Sequence, residues 1–180
     1  MLALGTACDD FIPDPIEPRL PFFGGLGRNE AGAILNDHFF INNPTPGFLA
    51  RGSQLPQYFR INSDSLSLDF ELRTRDFIQY RNIQIQLHGL NPDDWTAMIQ
   101  GFGKQFQIAD PRISIKVFNR FDFQEENAFT GINSVPGQVT MKILPDERFV
   151  YGTFGFDVKN ELGEKIQVRM GRFDYQFTDY

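Results

Sequence analysis

Ser65-Leu66-Ser67-Leu68-Asp69-Phe70-Glu71-Leu72-Arg73 is the stretch that decides the fold class. Leu66, Leu68, Phe70 and Leu72 fall on one side of an extended chain, with Ser67, Asp69, Glu71 and Arg73 on the other, because successive side chains of a strand point to opposite faces. It reads as a strand with one face in a core and one in water. The same period of two returns in Ile83, Ile85 and Leu87, in Ile113, Ile115 and Val117, and in Val139, Met141 and Ile143. Half-wet strands of this kind belong to antiparallel sheets.

Toward the N-terminus, Ala31 to Leu35 and His38 to Ile41 flank Asn36-Asp37, whose side chains tolerate the positive φ of a two-residue hairpin turn. Toward the C-terminus, Val150, Gly152, Phe154, Phe156 and Val158 share one face, Asn160-Glu161-Leu162-Gly163 turns, and Ile166, Val168 and Met170 begin the return. The phase then slips, because Phe173, Tyr175 and Phe177 stand at odd positions. One extra residue near Gly171, with that glycine in an unusual backbone angle, brings all six to the core. The rival account turns the three aromatics outward as a surface stripe. With about nine or ten strands, the expectation is all-β, an antiparallel sandwich or an irregular barrel. A single short helix is expected near 92–100, where Asn91 caps, Pro92 takes the first helical position, and Asp93 and Asp94 meet the dipole.

Composition agrees. Phe at 20, Gly at 16 and Pro at 11 of 180 residues favour strands and turns. A formal net charge of −6 argues against a nucleic-acid partner or a polybasic membrane-surface domain. No internal stretch reaches the ~20 apolar residues of a transmembrane helix, so any membrane attachment is expected through a lipid.

The chain divides into three. Residues 1–8 read as the remnant of a lipoprotein signal: the apolar run Met1 to Ala7 ends at Cys8, the one cysteine, which is the expected acylation site. Only seven residues precede it, none of them basic, so a clipped N-terminus or a misassigned start is expected. The alternative is a free cysteine in a disordered tail, although exposed thiols are usually avoided. Residues 9–27 carry Pro13, Pro15, Pro18 and Pro21, then Gly24, Gly25 and Gly27, and read as a tether extended at about 3.1 Å per residue. Residues 28–180 are the single β domain, long enough to bury a core.

The start Cys8-Asp9-Asp10, the opening Gly27-Arg28-Asn29-Glu30-Ala31-Gly32-Ala33 with its Leu35-Asn36-Asp37 turn, and the ending Tyr151-Gly152-Thr153-Phe154-Gly155-Phe156 with Gly171-Arg172-Phe173-Asp174 resemble small secreted Bacteroidota-type lipoproteins of families without an assigned function. The resemblance covers both ends of the domain and is weak over residues 42–130. It implies a lipoprotein anchored in the outer membrane of a Gram-negative envelope, on its periplasmic or surface side. Acids directly after the cysteine are associated with surface export, and no activity is implied.

Catalytic signatures are sparse. His38 and His88 are the only histidines and have no cysteine or second histidine at ligand spacing, so no metal site and no cofactor are expected. Neither a Gly-x-Ser-x-Gly elbow nor a phosphate loop occurs. The acidic pairs Asp93-Asp94, Glu125-Glu126 and Asp146-Glu147 are adjacent in sequence, which in a strand sends them to opposite faces. Calcium has hard oxygens near Asn62, Asp64 and Asp93-Asp94 but no defined loop.

Two surfaces remain as ligand-binding candidates. Arg73, Arg75 and Arg81 interleave with Phe70, Phe77 and Tyr80, a mixture that holds anionic sugars or a protein partner. Its plainer reading is a strand pair with charges outward. Trp95 beside Asp93 and Asp94 suits a sugar ring stacked on the indole; its plainer reading is an anchor of the loop to the sheet. The expected function is a lipid-anchored, non-catalytic domain that binds a glycan or an envelope protein or serves envelope architecture; the alternative is a loop-built hydrolase acting on glycans.

Overall fold

The computed structural model describes residue 20 and residues 29–42, 57–74, 76, 78–119, 128–132 and 136–176. Cys8, Arg75, Phe77 and Phe177 lie outside them, as does the 9–27 tether apart from Leu20, which is buried. In chain order the elements are β1 (Glu30–Leu35), β2 (His38–Ile41), β3 (Gln57–Ile61), β4 (Leu66–Thr74), β5 (Tyr80–Leu87), α1 (Pro92–Ile99), β6 (Lys104–Gln107), β7 (Ile113–Asn119), β8 (Phe129–Gly131), β9 (Gln138–Leu144), β10 (Phe149–Lys159) and β11 (Lys165–Gln176).

Strands β11, β1, β2, β4, β5, β7, β8 and β10 pair in that order, and β10 pairs back to β11. The result is a closed, eight-stranded antiparallel barrel, with β3 added to β4 and with β9 and then β6 added beside β10. A barrel therefore replaces the sandwich alternative, and the described strands number eleven rather than nine or ten. Closure depends on β8. Its three residues join β7 through Thr130↔Lys116 and Phe129↔Val117, and join β10 through Gly131↔Val158 and Thr130↔Lys159. The ring is thus joined end to end, with β8 covering Lys116 and Val117 of β7 and Val158 and Lys159 of β10.

An eight-stranded barrel is just wide enough for side chains to fill its interior. Leu66, Leu68, Phe70 and Leu72 are all buried there, with Ile83, Ile85 and Leu87 from β5 and Ile115 and Val117 from β7. Each such side chain contributes roughly 1.5–3 kcal/mol on burial. The aromatic centre is Phe70, whose ring centroid lies 5.3 Å from Phe154, 6.1 Å from Phe173 and 6.2 Å from Tyr175.

The phase slip in β11 is a bulge. Phe154 opposes Gly171 and Phe156 opposes Val168, so two steps on β10 match three on β11. The same extra residue appears against β1, where Gly32 opposes Arg172 and Ile34 opposes Arg169. Phe173 and Tyr175 consequently turn inward and are buried, which removes them from the surface stripe. Two expectations need correction. The positive φ belongs to Met170, at 51°, and not to Gly171; and Met170, expected in the core, is 46 % exposed because it occupies the bulge. Gly171 is required for another reason: a Cβ there would stand 2.3 Å from the Phe154 ring.

The Asn36-Asp37 turn has φ of 45° and 66° and joins β1 to β2 as expected. Helix α1 is capped as its sequence specifies. Asn91 Oδ1 accepts from the Asp94 N–H at 2.9 Å, and Asp94 Oδ2 accepts from the Asn91 N–H at 3.0 Å, a reciprocal capping box.

Candidate functional site

The barrel has a mouth where β1, β4 and β10 end and where β2, β5 and β11 begin. Leu35, Phe40 and Ile166 form the floor of a depression of about 200 Å³ there. Asn36, His38, Gln79 and Arg81 form its wall. The strand period explains the wall. Arg81 lies on β5 in phase with Ile83 and Ile85, so its side chain points inward, but at the strand's first turn it meets the opening instead of the core.

Two connections hold this end of the barrel. Asn36 accepts from the Gln167 N–H through Oδ1 at 2.9 Å and donates its own N–H to the Gln167 carbonyl at 3.1 Å, fixing the β1–β2 turn to β11. At the β4–β5 connection, the Thr74 N–H donates to the Gln79 carbonyl at 3.0 Å, and the Gln79 N–H donates to Thr74 Oγ1 at 3.1 Å. Asp76 completes this connection by accepting from the Thr74 hydroxyl and, at 3.2 Å, from the Ile78 N–H. Those bonds, with the nearby His38, hold the Asp76 carboxyl below its ordinary pKa, so it stays ionised.

Arg81 is partly buried. Its Nη1 donates to the Tyr80 carbonyl at 2.9 Å, and its guanidinium carbon lies 5.9 Å from the centre of the Phe40 ring. Burial lowers its pKa, and no carboxylate of the described residues pairs with it. The His38 ring and the Gln79 amide make no hydrogen bond to the described residues, and both are exposed at the rim. No family model, curated protein or solved structure matches the chain. The mouth is accordingly read from its own chemistry: one cation seated on an aromatic ring, an apolar floor, and two polar side chains with free hydrogen-bonding capacity.

The residues selected from the sequence do not gather in one place. Arg73 and Tyr80 oppose each other across β4 and β5, on the outside of the barrel wall, with Arg73 buried. Trp95, Asp93 and Asp94 lie on α1, which follows the other end of β5, and eight residues of strand separate the two ends by about 25 Å. Trp95 is half-buried and packs on the barrel core, while Asp93 is exposed. Asp94 is 2 % exposed and already occupied: besides the helix cap it pairs with Arg112 Nη1 at 2.7 Å and with Lys104 Nζ at 3.3 Å. Arg112 also grips Asp110 through Nη2 at 2.7 Å and Nε at 3.0 Å.

These contacts fix the charges of that cluster. Burial works to raise the Asp94 pKa, yet the Asn91 N–H, Lys104 and Arg112 outweigh it and leave the carboxyl below its ordinary range. The Arg112 side chain and N–H do the same for Asp110, and the two carboxylates push the Arg112 pKa up. On the outer wall the balance is reversed at Asp69, where burial raises the pKa despite hydrogen bonds from Asn82 at 2.5 Å and Gln84 at 3.0 Å and the charge of Arg60. Among the described residues, no three His, Cys, Asp or Glu side chains gather as a metal site, and no helix is long and apolar enough to cross a membrane.

Arg81 belongs to the aromatic and arginine stretch that the sequence marks, but linear spacing does not separate it from Arg73. The parity of β5 relative to Ile83 is the one signal that does, and it acquires meaning only once β5 is known to end at an opening.

Proposed function

We propose that the chain is a lipid-anchored envelope protein whose β-barrel binds a glycan at its mouth without chemical conversion. The anchor rests on Cys8 and on the lipoprotein resemblance of the chain's two ends. Binding rests on one observation: at the mouth, His38 and Gln79 present free polar groups over an apolar floor of Leu35, Phe40 and Ile166. Sugars are recognised by that combination, with the C–H face on apolar surface and the hydroxyls on convergent polar groups. Packing by Phe70, Phe154 and Phe173 fills the barrel below, so the site takes one residue of a chain at its end and does not enclose a long ligand.

The anchor is tested by detergent phase partitioning of the natural gene product with and without Cys8→Ala. Partition of the unsubstituted protein into the aqueous phase overturns it. Binding is tested by exposing the full chain to an oligosaccharide array, with His38→Ala and Gln79→Ala as controls. Loss of signal in both variants supports the mouth as the site; capture of a protein segment with no sugar bound turns the reading to a protein partner.

A second reading, a glycan hydrolase, has one observation in its favour. Asp69 and Glu71 stand two residues apart on the same outer face of β4, and burial favours the protonated form of Asp69, as a general acid requires. Cleavage of any arrayed glycan that Asp69→Asn abolishes favours this reading over the first.

A further inference from the structure

We infer that the barrel mouth binds the carboxylate of an acidic sugar, a uronic acid, with Arg81 as the anchoring cation; this rests on the reading of the barrel as a glycan-binding domain. Arg81 lacks a carboxylate partner among the described residues. Arg112 and Arg169 hold aspartates at 2.7 Å and 2.5 Å, whereas Arg81, partly buried, has the Tyr80 carbonyl and the Phe40 ring. A cation withdrawn from water without a paired anion is costly. A ligand carboxylate at the opening supplies the missing partner, and the planar guanidinium still has Nε and Nη2 free for a two-pronged bond.

The local charge selects among anions. Asp76, held ionised by Thr74 and Ile78 beside His38, places a fixed negative charge near the same opening. Arg81 supplies one positive charge at the mouth, and withdrawing a dianion from water costs more than withdrawing a monoanion, so the mouth favours a monoanion over a phosphate dianion. Size selects the rest. The depression of about 200 Å³ is somewhat larger than the ~150 Å³ cavity that holds a benzene ring, room for a single ring. Phe40 offers that ring an apolar face, while His38 and Gln79 are placed for its hydroxyls.

The test is a two-dimensional amide NMR titration of the full chain with D-glucuronate, D-glucose and inorganic phosphate, each at the same ionic strength. The expected result is saturable shifts at His38, Gln79 and Arg81 with D-glucuronate and binding at least tenfold weaker for the other two. Arg81→Gln is expected to weaken D-glucuronate at least tenfold with the fold retained. Gln79→Glu, which leaves Arg81 in place but adds a competing carboxylate beside it, is expected to do the same and keeps the test valid if Arg81→Gln fails to fold. Equal binding of D-glucose and D-glucuronate, insensitive to Arg81→Gln, overturns the acidic class and leaves glycan binding standing. Phosphate binding as tight as D-glucuronate at these amides, or no saturable shift with D-glucuronate, also overturns it.

Discussion

The ring of Phe154 lies where a side chain at Gly171 would have to be: the two residues are paired across β10 and β11, and a Cβ on Gly171 would stand 2.3 Å from the ring. The neighbouring pair repeats the device in reverse. Phe173 opposes Gly152, and a Cβ on Gly152 would meet the Phe173 ring at 2.7 Å and the Thr140 carbonyl at 2.0 Å. Each phenyl covers the glycine facing it, so two large rings fit inside a narrow barrel with centroids 6.3 Å apart.

Gly171→Ala is therefore expected to destabilise the domain by about 3 kcal/mol, at the upper end of overpacking costs. Urea denaturation measures it. A midpoint unchanged from the parent protein shows that the Phe154 ring has somewhere else to go.

Met170→Gly is expected to act in the opposite direction. Met170 is strained at φ 51° and exposed at the bulge, so glycine relieves a left-handed penalty of roughly 1–2 kcal/mol. Part of this is offset by the greater freedom glycine has in the unfolded chain. The same denaturation series should show a variant as stable as the parent or up to ~1 kcal/mol more stable, in contrast to its neighbour.

Truncating Phe156, fully buried in the barrel, to Ala is expected to cost ~3–5 kcal/mol. Trp95→Ala is expected to cost ~1–2 kcal/mol, because Trp95 is half-buried against the core and not free on the surface. If Trp95→Ala proves the more damaging of the two, α1 and not the barrel interior is the stability centre.

Acid should loosen the α1 end of the barrel. Asp94 and Asp110 have folded pKa values below the ordinary carboxylate value, which is about 3.9. Their contribution is thus complete above that value and is lost as pH falls through their folded values. Asp69, raised by burial, has the opposite sign: its contribution is complete below about 3.9 and is lost as pH rises through its folded value. Melting temperature between pH 5 and pH 2.5 should fall less steeply in Asp110→Asn than in the parent. Asp69→Asn should remove a loss of stability on the way up from pH 4. Identical pH profiles in all three proteins contradict both assignments.

Where the code is local, it can be read directly. The alternation of Leu66, Leu68, Phe70 and Leu72 names the buried face of β4, since a strand's period is a property of its own backbone. Asn36-Asp37 adopts its positive φ angles, and the Asn91-Pro92-Asp93-Asp94 run starts α1, because turn and cap chemistry involves residues only a few positions apart. The slip between Met170 and Phe173 likewise announces the bulge, although not which residue carries the strain.

Sequence alone thus determined the alternating strands β4, β5, β7, β9 and β10 with their inward faces, the β1–β2 turn and the helix, all of which follow from backbone geometry and side chains within a few residues. Tertiary structure decided the rest. Closure into a barrel rests on β8, three residues too short to show a period, held by pairing with β7 and β10. Asp94 left the candidate ligands because Lys104 and Arg112, distant in sequence, neutralise it. Arg81 entered them because its position at the start of an inward-facing row matters only where the barrel opens: which charge is paired and which stays free is set by neighbours that folding brings together.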